Sequence, residues 1–510
     1  MPVLRWLAMF CCLGMAAQAA EPDTVRIAVL APRGITTLDA HFATAHPDRM
    51  LASWVHGALV RFRPGSISPA TIEPDLAESW TASPDRLDWV FHLRQGVTFH
   101  GGFGRVTADD VAFSLRKAAN PRTSAYAGDF AAIAAVETPD PSTVRIALHR
   151  PVPSLPGTLA NYAGGFILSR RATEANQPAI GFGPFELASQ APGQSARLVA
   201  NDQYFRGRPK LRAIAYVFVS SLATSDLAFN AGEVDIIEGQ QDQAWITRTR
   251  HSPDAAVDVI QPAELSWLHL DITRKPLDDP RVRRAVALAV NRAELAAWRG
   301  ADLARPARSV IPAGYLGIAA DLSLPDTDIA EARRLLAEAG YPDGLTLRTI
   351  HTANPVMLSA IQVVQAQLRR AGITLDVQVV DHPSFNTMIR QDRSPIVHYA
   401  AARFPVADTM LTQFFHSRST VGQPGGVTNF SHCSAADAAL DVARTETDSE
   451  RQLELWAEAQ RRIVAAVCAI PLLETRQVWA RRKSFDYGFV FDGAMSTGPL
   501  LTEQAGFRRQ

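Results

Sequence analysis

Few positions in this 510-residue chain carry side chains suited to chemistry, and most of those sit in loops that follow apolar runs. Arg403 and Phe404 come directly after the strand-like run Pro395 to Ala402. An arginine offers a planar fork of N–H donors suited to a carboxylate or phosphate, and Phe404 adds a flat apolar surface beside it. Two readings of Arg403 stand: it anchors an anionic group of a ligand, or it pairs internally with an acid such as Asp408. His41, Thr44 and His46 follow the alternating run Thr24 to Leu30, and His351 and Asn354 follow the run Leu345 to Ile350. Loops at the carboxyl ends of strands form the crevice of open α/β sheets, which makes all five cleft candidates. His46 and Asp48 have a second reading, as caps of a helix Arg49 to Leu59. His432 adjoins Cys433, but two adjacent ligands without a second pair at ligand spacing make a weak site, and no metal is expected.

Nothing marks a catalyst. The chain has no Walker phosphate loop, no HExxH, no GxSxG elbow and no CxxC. Its paired acids fall at helix starts: Asp109 and Asp110 follow Thr107 in a capping-box pattern, and Asp278 and Asp279 precede a helix Arg281 to Trp298. The expectation is a binding protein without a cofactor and without catalytic residues. A hydrolytic triad is recognised by geometry and not by order, so a secreted hydrolase or a ligand-sensing receptor subunit stays as the alternative.

Acidic and basic residues balance, 51 of each, which leaves no electrostatic footprint for nucleic acid. Arg5, the apolar stretch Trp6 to Ala17 and the small residues Ala17, Ala19 and Ala20 read as a secretory signal peptide cleaved after Ala19 or Ala20. Cys11 and Cys12 raise a lipoprotein reading, but Ala8-Met9-Phe10 lacks the small pair a lipobox needs. Two cysteines then remain, Cys433 and Cys468, and in an oxidising compartment they either pair or stay as separate buried thiols.

The elements follow from periodicity. Gly181-Phe182-Gly183-Pro184 reads as a backbone elbow whose glycines can take positive φ. A hairpin from Phe185 to Ala200 comes next, then a strand Ala213 to Val219, a helix Leu222 to Ala231 and a strand Val234 to Ile237, which together form a parallel unit. Further on, Leu345 to Ile350, Val356 to Ala371 and Ile373 to Val380 make a second strand–helix–strand unit.

At this level a family resemblance becomes specific. GFGPFEL, ARLVANDQYFRGRPKL and LAFNAGEVDI, with LAESWTASPDRLDWVFHLRQGVTFHGG upstream and LDITRKPLDDPRVRRAVALAVNRAEL downstream, resemble the extracytoplasmic solute-binding proteins of ABC importers, family 5, of the peptide, nickel and opine type. The resemblance implies an α/β fold of two lobes, type II and like cluster C, with an extra subdomain in the first lobe. Signal residues 1–20 would precede lobe I at 21–265, with the subdomain at about 60–180; lobe II would cover 266–480, and 481–510 would return to lobe I. It also implies a periplasmic monomer that binds a small molecule or peptide and delivers it to an ABC permease and ATPase. Asn161 and Tyr162 fall near the implied cleft wall. In peptide-binding members a tryptophan and an amine-anchoring aspartate precede the position of Asp408; here those places hold Ala402 and Pro405. A proline cannot balance an ammonium, so the usual peptide anchor is missing. The resemblance places a disulfide near Cys433 whose usual first cysteine is Ser417 here, making Cys468 the substitute partner.

Intact-mass measurement of protein recovered from a periplasm is expected to show an N-terminus at Ala20 or Glu21; a mature chain that retains Met1 would contradict the signal-peptide reading.

Overall fold

The computed structural model describes residues 22–152, 154–260, 264–403, 405–423, 427–491, 493 and 498–508, so the segment expected to be a signal peptide and Phe404 lie outside it. Strand Thr24–Leu30 is buried at Val25 and from Ile27 to Val29, and it pairs in parallel with Ala213–Val219 on one side and with Ile236–Glu238 on the other. The hairpin Phe185–Ala191 and Ser195–Ala200 extends this sheet antiparallel at one edge. At the other edge Gln477–Arg482 joins Ile236–Glu238 to Ala255–Ile260, completing seven strands. The sheet buries Ile27, Trp54, Tyr216 and Trp479 on one face, and Phe485, Tyr487 and Leu501 of the C-terminal segment join the same cluster.

A four-stranded antiparallel sheet, Ala77–Ala82, Asp88–Leu93, Thr143–Leu148 and Ile133–Asp140, carries helix Ala108–Ala119 and forms a separate layer with its own core around Phe91, Leu115 and Phe182. Thr107 and Asp110 close the capping box that starts this helix.

The second lobe is built on the antiparallel sheet Ala304–Pro306, Ala469–Thr475, Leu265–Leu270 and Ile396–Ala401, with the parallel pair Leu345–Thr352 and Ile373–Val380 beside it. Helix Pro355–Arg370 makes the crossover between that pair. Cys433 and Cys468 are joined by a disulfide inside this lobe, their Cα atoms 5.7 Å apart.

Three local expectations change. The run Arg281 to Trp298 is two helices, Pro280–Ala289 and Arg292–Arg299. Asn291 breaks it: its side chain accepts from Glu294 N at 2.8 Å, while Gln367 brackets its backbone N–H and C=O. The helix expected over Arg49 to Leu59 runs His46–Val55, because Gly57–Ala58 is drawn into a strand pair with Phe166–Ile167. Asp48, within that helix, accepts from Thr36 N, so it pins the preceding loop. The elbow glycines Gly181 and Gly183 are not among the positive-φ residues. They are required by space: a Cβ on Gly181 would meet Val55 O at 2.0 Å, and one on Gly183 would meet Trp54 O at 2.6 Å.

Gly181→Ala is therefore expected to cost about 1–3 kcal/mol, the range for overpacking against backbone that cannot yield, read as a shift in urea midpoint. An unshifted midpoint would show that the elbow has room.

Candidate functional site

The chain passes between the two large sheets twice. Ala255–Ile260 leads to Leu265–Leu270, and Ala469–Thr475 leads to Gln477–Arg482. The two passages are bound to each other: Ile260 is opposite Gln477, and Thr475 N donates to Glu264 O at 2.8 Å. Ala401 is opposite Leu265, so the end of strand Ile396–Ala401 delivers Arg403 to this junction.

Arg403 is half-buried and stacks over the Phe414 ring, 5.2 Å from its centroid. Its Nε donates to Gln413 Oε1 at 2.6 Å and its Nη1 to Ala402 O at 2.8 Å, while Tyr315 Oη donates to Arg403 O at 2.8 Å. No carboxylate lies within ion-pair distance of the guanidinium among the described residues. Asp408 is engaged elsewhere, in the first turn of helix Ala407–Phe415, 3.6 Å from Arg444 Nε and accepting from Thr412 Oγ1. The internal pair with Asp408 does not form.

Facing groups come from the first lobe and the junction. The Arg49 guanidinium lies over the Tyr162 ring at 5.2 Å and also donates to Thr44 O. Asp129 and Glu264 are both exposed, with neighbouring atoms on one side. Burial pushes the Asp129 carboxyl up to about 6 and raises that of Glu264, while the charge of Arg403 pulls on both and that of Arg49 pulls on Glu264. Tyr162 of the first lobe and Arg403 and Glu264 also act on the Tyr315 hydroxyl of the second. Ile67 of the first lobe is buried in the apolar cluster of the second that contains Trp267, Val310 and Tyr315, so the lobes touch.

The remaining candidates are placed differently. His41 is fully buried, with Nε2 3.0 Å from Phe166 O, and burial lowers its pKa to about 4. His351 is fully buried with Nε2 3.0 Å from His398 Nδ1. Neither offers a surface to a ligand, because each ring is absorbed by core contacts. Asn354 caps helix Pro355–Arg370, accepting from Val356 N and Met357 N, and the Asn161 side chain accepts from Ala163 N. His46 lies 6.0 Å from the Trp479 ring, near Arg49, and is held neutral by burial at about 4. Of the candidates, Arg403, Thr44, His46 and Tyr162 fall in or beside the charged junction. Sequence reasoning missed Arg49, Asp129, Glu264, Tyr315 and Gln413; only Glu264, placed just before the crossing strand, had a positional signal.

Two lobes on separate sheets, two crossing strands and a charged cleft at the junction define a binding protein that closes over a solute. Residues 71–421 match the bacterial extracellular solute-binding proteins, family 5, and the chain belongs to that family. It is similar to MoaA from A. tumefaciens R10, solved in complex with mannopinic acid, at 49% identity and a TM-score of 0.82, covering 96% of this chain and 100% of that one. It is 28% identical to di/tripeptide-binding protein 2 of Pseudomonas aeruginosa, over 92% of this chain and 93% of the relative. It is 29% identical to the glutathione-binding protein GsiB of Salmonella typhi, over 96% and 98%. The fold is the two-lobed periplasmic-binding-protein fold, and the protein is a substrate-binding component of an ABC transporter. Its relatives are binding proteins, not enzymes, and the family works with a permease and an ATPase. Among the described residues no helix is long and apolar enough to cross a membrane.

The raised Asp129 fixes a sign. Between its ordinary value near 4 and about 6 the folded state holds a proton that the unfolded state releases, so its contribution to stability is fully present below pH 4 and is lost as pH rises through 6. Asp129→Asn is expected to stabilise the protein relative to wild type at pH 7.5 more than at pH 4.5, by urea unfolding of both. An equal difference at the two pH values would contradict the desolvated-carboxylate account.

Proposed function

We propose that this protein captures an organic acid of the opine type in the cleft at the lobe junction and hands it intact to an inner-membrane permease. The observation that carries this reading is the Arg403 guanidinium, held in place by neutral oxygens of Gln413 and Ala402 and not by a carboxylate. A guanidinium oriented in this way is available for a bidentate bond to a ligand carboxylate, while Phe414 supports its other face. Tyr162, Arg49 and Thr44 form the facing wall.

Two further points support the same ligand class. Pro405, at the place where peptide-binding members carry the amine anchor, offers no negative charge. The relative at 49% identity was solved with an acid bound. Closure follows from differential contact: a ligand held by Arg403 on one lobe and by Tyr162 on the other stabilises the closed form by the bonds it gains there. The protein works as a periplasmic monomer, and the solute leaves unaltered, in contrast to a hydrolase on the same scaffold.

Isothermal titration with mannopinic acid, glutathione and a dipeptide is the test. Mannopinic acid is expected to bind and to be recovered unchanged, with Arg403→Ala weakening it roughly 10- to 100-fold, the range for losing a charge-assisted bond. Tight dipeptide binding without binding of the acid, or unchanged affinity in the variant, would overturn the reading.

A further inference from the structure

At the end of the second lobe remote from the junction, three loops converge on one point. Asp271 follows strand Leu265–Leu270, whose pairing of Leu270 with Ile396 marks the end opposite to Leu265 and Ala401. Asp392 follows helix His382–Arg390, and His432 lies next to the disulfide residue Cys433. The ligand-type atoms Asp271 Oδ2, Asp392 Oδ1 and His432 Nε2 all lie within 4.8 Å of one another.

These atoms are buried; His432 Nε2 and Asp392 Oδ1 make no aligned hydrogen bond, and Asp271 Oδ2 is approached only by the Arg274 guanidinium, 2.8 Å away. His432 Nε2 is 3.1 Å from Asp392 Oδ1 and 3.8 Å from Asp271 Oδ2. The shorter separation is that of a hydrogen bond, but the ring nitrogen and the oxygen are not aligned as donor and acceptor. Atoms that approach closely without pointing at each other are arranged as ligands of a common third centre are. Two ligands on one tetrahedral zinc stand about 3.3 Å apart, given bond lengths near 2 Å, and the two distances bracket that spacing.

The surroundings hold the three groups in position. Asp271 is fully buried, and its other oxygen, Oδ1, accepts from Thr273 N at 3.0 Å and from Thr273 Oγ1 at 2.6 Å. Ile272 N donates to Ser431 O at 3.0 Å, tying the first loop to the third. Arg274 lies on the outer side, with Nε 2.8 Å from Asp271 Oδ2 and Nη2 2.7 Å from Asp392 Oδ2. It offsets one of the two carboxylates and leaves the second beside the imidazole. His432 and Asp392 keep partial exposure, which gives an ion a way in.

We infer that Asp271, Asp392 and His432 form a binding site for a divalent first-row transition ion that ties three loops at the distal end of the second lobe. Two carboxylates and an imidazole suit zinc, manganese or cobalt, and among these zinc binds a nitrogen and oxygen set most strongly. Water completes the coordination on the open side. The site lies away from the solute cleft and has a structural role, and Arg274 is the cation with which the ion competes.

The test uses the full mature protein, stripped with chelator and titrated with zinc chloride in a calorimeter, then with cobalt chloride followed by visible absorption. One zinc per chain with a raised melting temperature, and a cobalt d–d band lost in His432→Ala and in Asp392→Asn, would support the site. Arg274→Gln discriminates further, because removal of the competing cation is expected to tighten zinc binding at least tenfold. Absence of stoichiometric zinc binding, binding retained in both ligand variants (an adventitious ion only), or weaker zinc binding in Arg274→Gln would overturn the inference and leave the cluster as a plain ion-pair network.

Discussion

Two strands that cross between the lobes while bonded to each other constrain everything else in this molecule. One lobe's sheet takes residues up to 260 and from 477, and the other's takes those from 265 to 475. With two passages among the described residues, bound by Ile260 opposite Gln477 and by Thr475 on Glu264 O, relative motion reduces to bending about one narrow strip. The strip is also where the charged groups meet. Glu264 belongs to it, Arg403 is delivered to it by the strand paired with Leu265–Leu270, and Arg49 and Tyr162 face it. The hinge and the proposed binding groups therefore share one neighbourhood, so a ligand held by Arg403, as proposed, acts with little lever arm on the hinge angle.

Electrostatics at the junction carry an internal tension. Arg403 is satisfied by neutral oxygens, yet its charge still reaches Asp129 and Glu264, both of which burial drives toward their neutral forms. Carboxylates held near a cation without pairing with it keep part of their charge unbalanced when no ligand is bound. Under the proposed function, a carboxylate ligand takes the guanidinium for itself and leaves those two acids as its negative neighbours. Selectivity among acids then depends on how each candidate places its own charge relative to Asp129 and Glu264, and the strength of the Arg403 bond is only part of the outcome.

Much of the scaffold was legible in the sequence because its elements follow local rules. The alternating run at Thr24, the hairpin through Pro192-Gly193 and the unit around Pro355–Arg370 obey period and turn chemistry, and they fold where those rules place them. The failures have identifiable causes. Asn291 looks like a tolerable helix residue until Gln367, brought in from a distant helix, binds its backbone and makes it a cap. The glycines of the elbow look like turn residues, whereas the reason for them is the backbone of Val55, more than a hundred positions earlier.

The site was less legible, since loop position marks proximity to a cleft but not the direction of a side chain. His41 and His351 come from such loops and turn inward, to Phe166 O and to His398. Arg403 stands out because its loop departs from the peptide-binding pattern; Asp129 and Arg49 carried no comparable signal. The most direct measurement is a crystal structure of the protein with mannopinic acid bound. The account predicts a ligand carboxylate within hydrogen-bond distance of the Arg403 guanidinium, with Tyr162 on the opposite wall. A ligand seated away from the junction, with Arg403 still turned to Gln413 and Ala402, would contradict it.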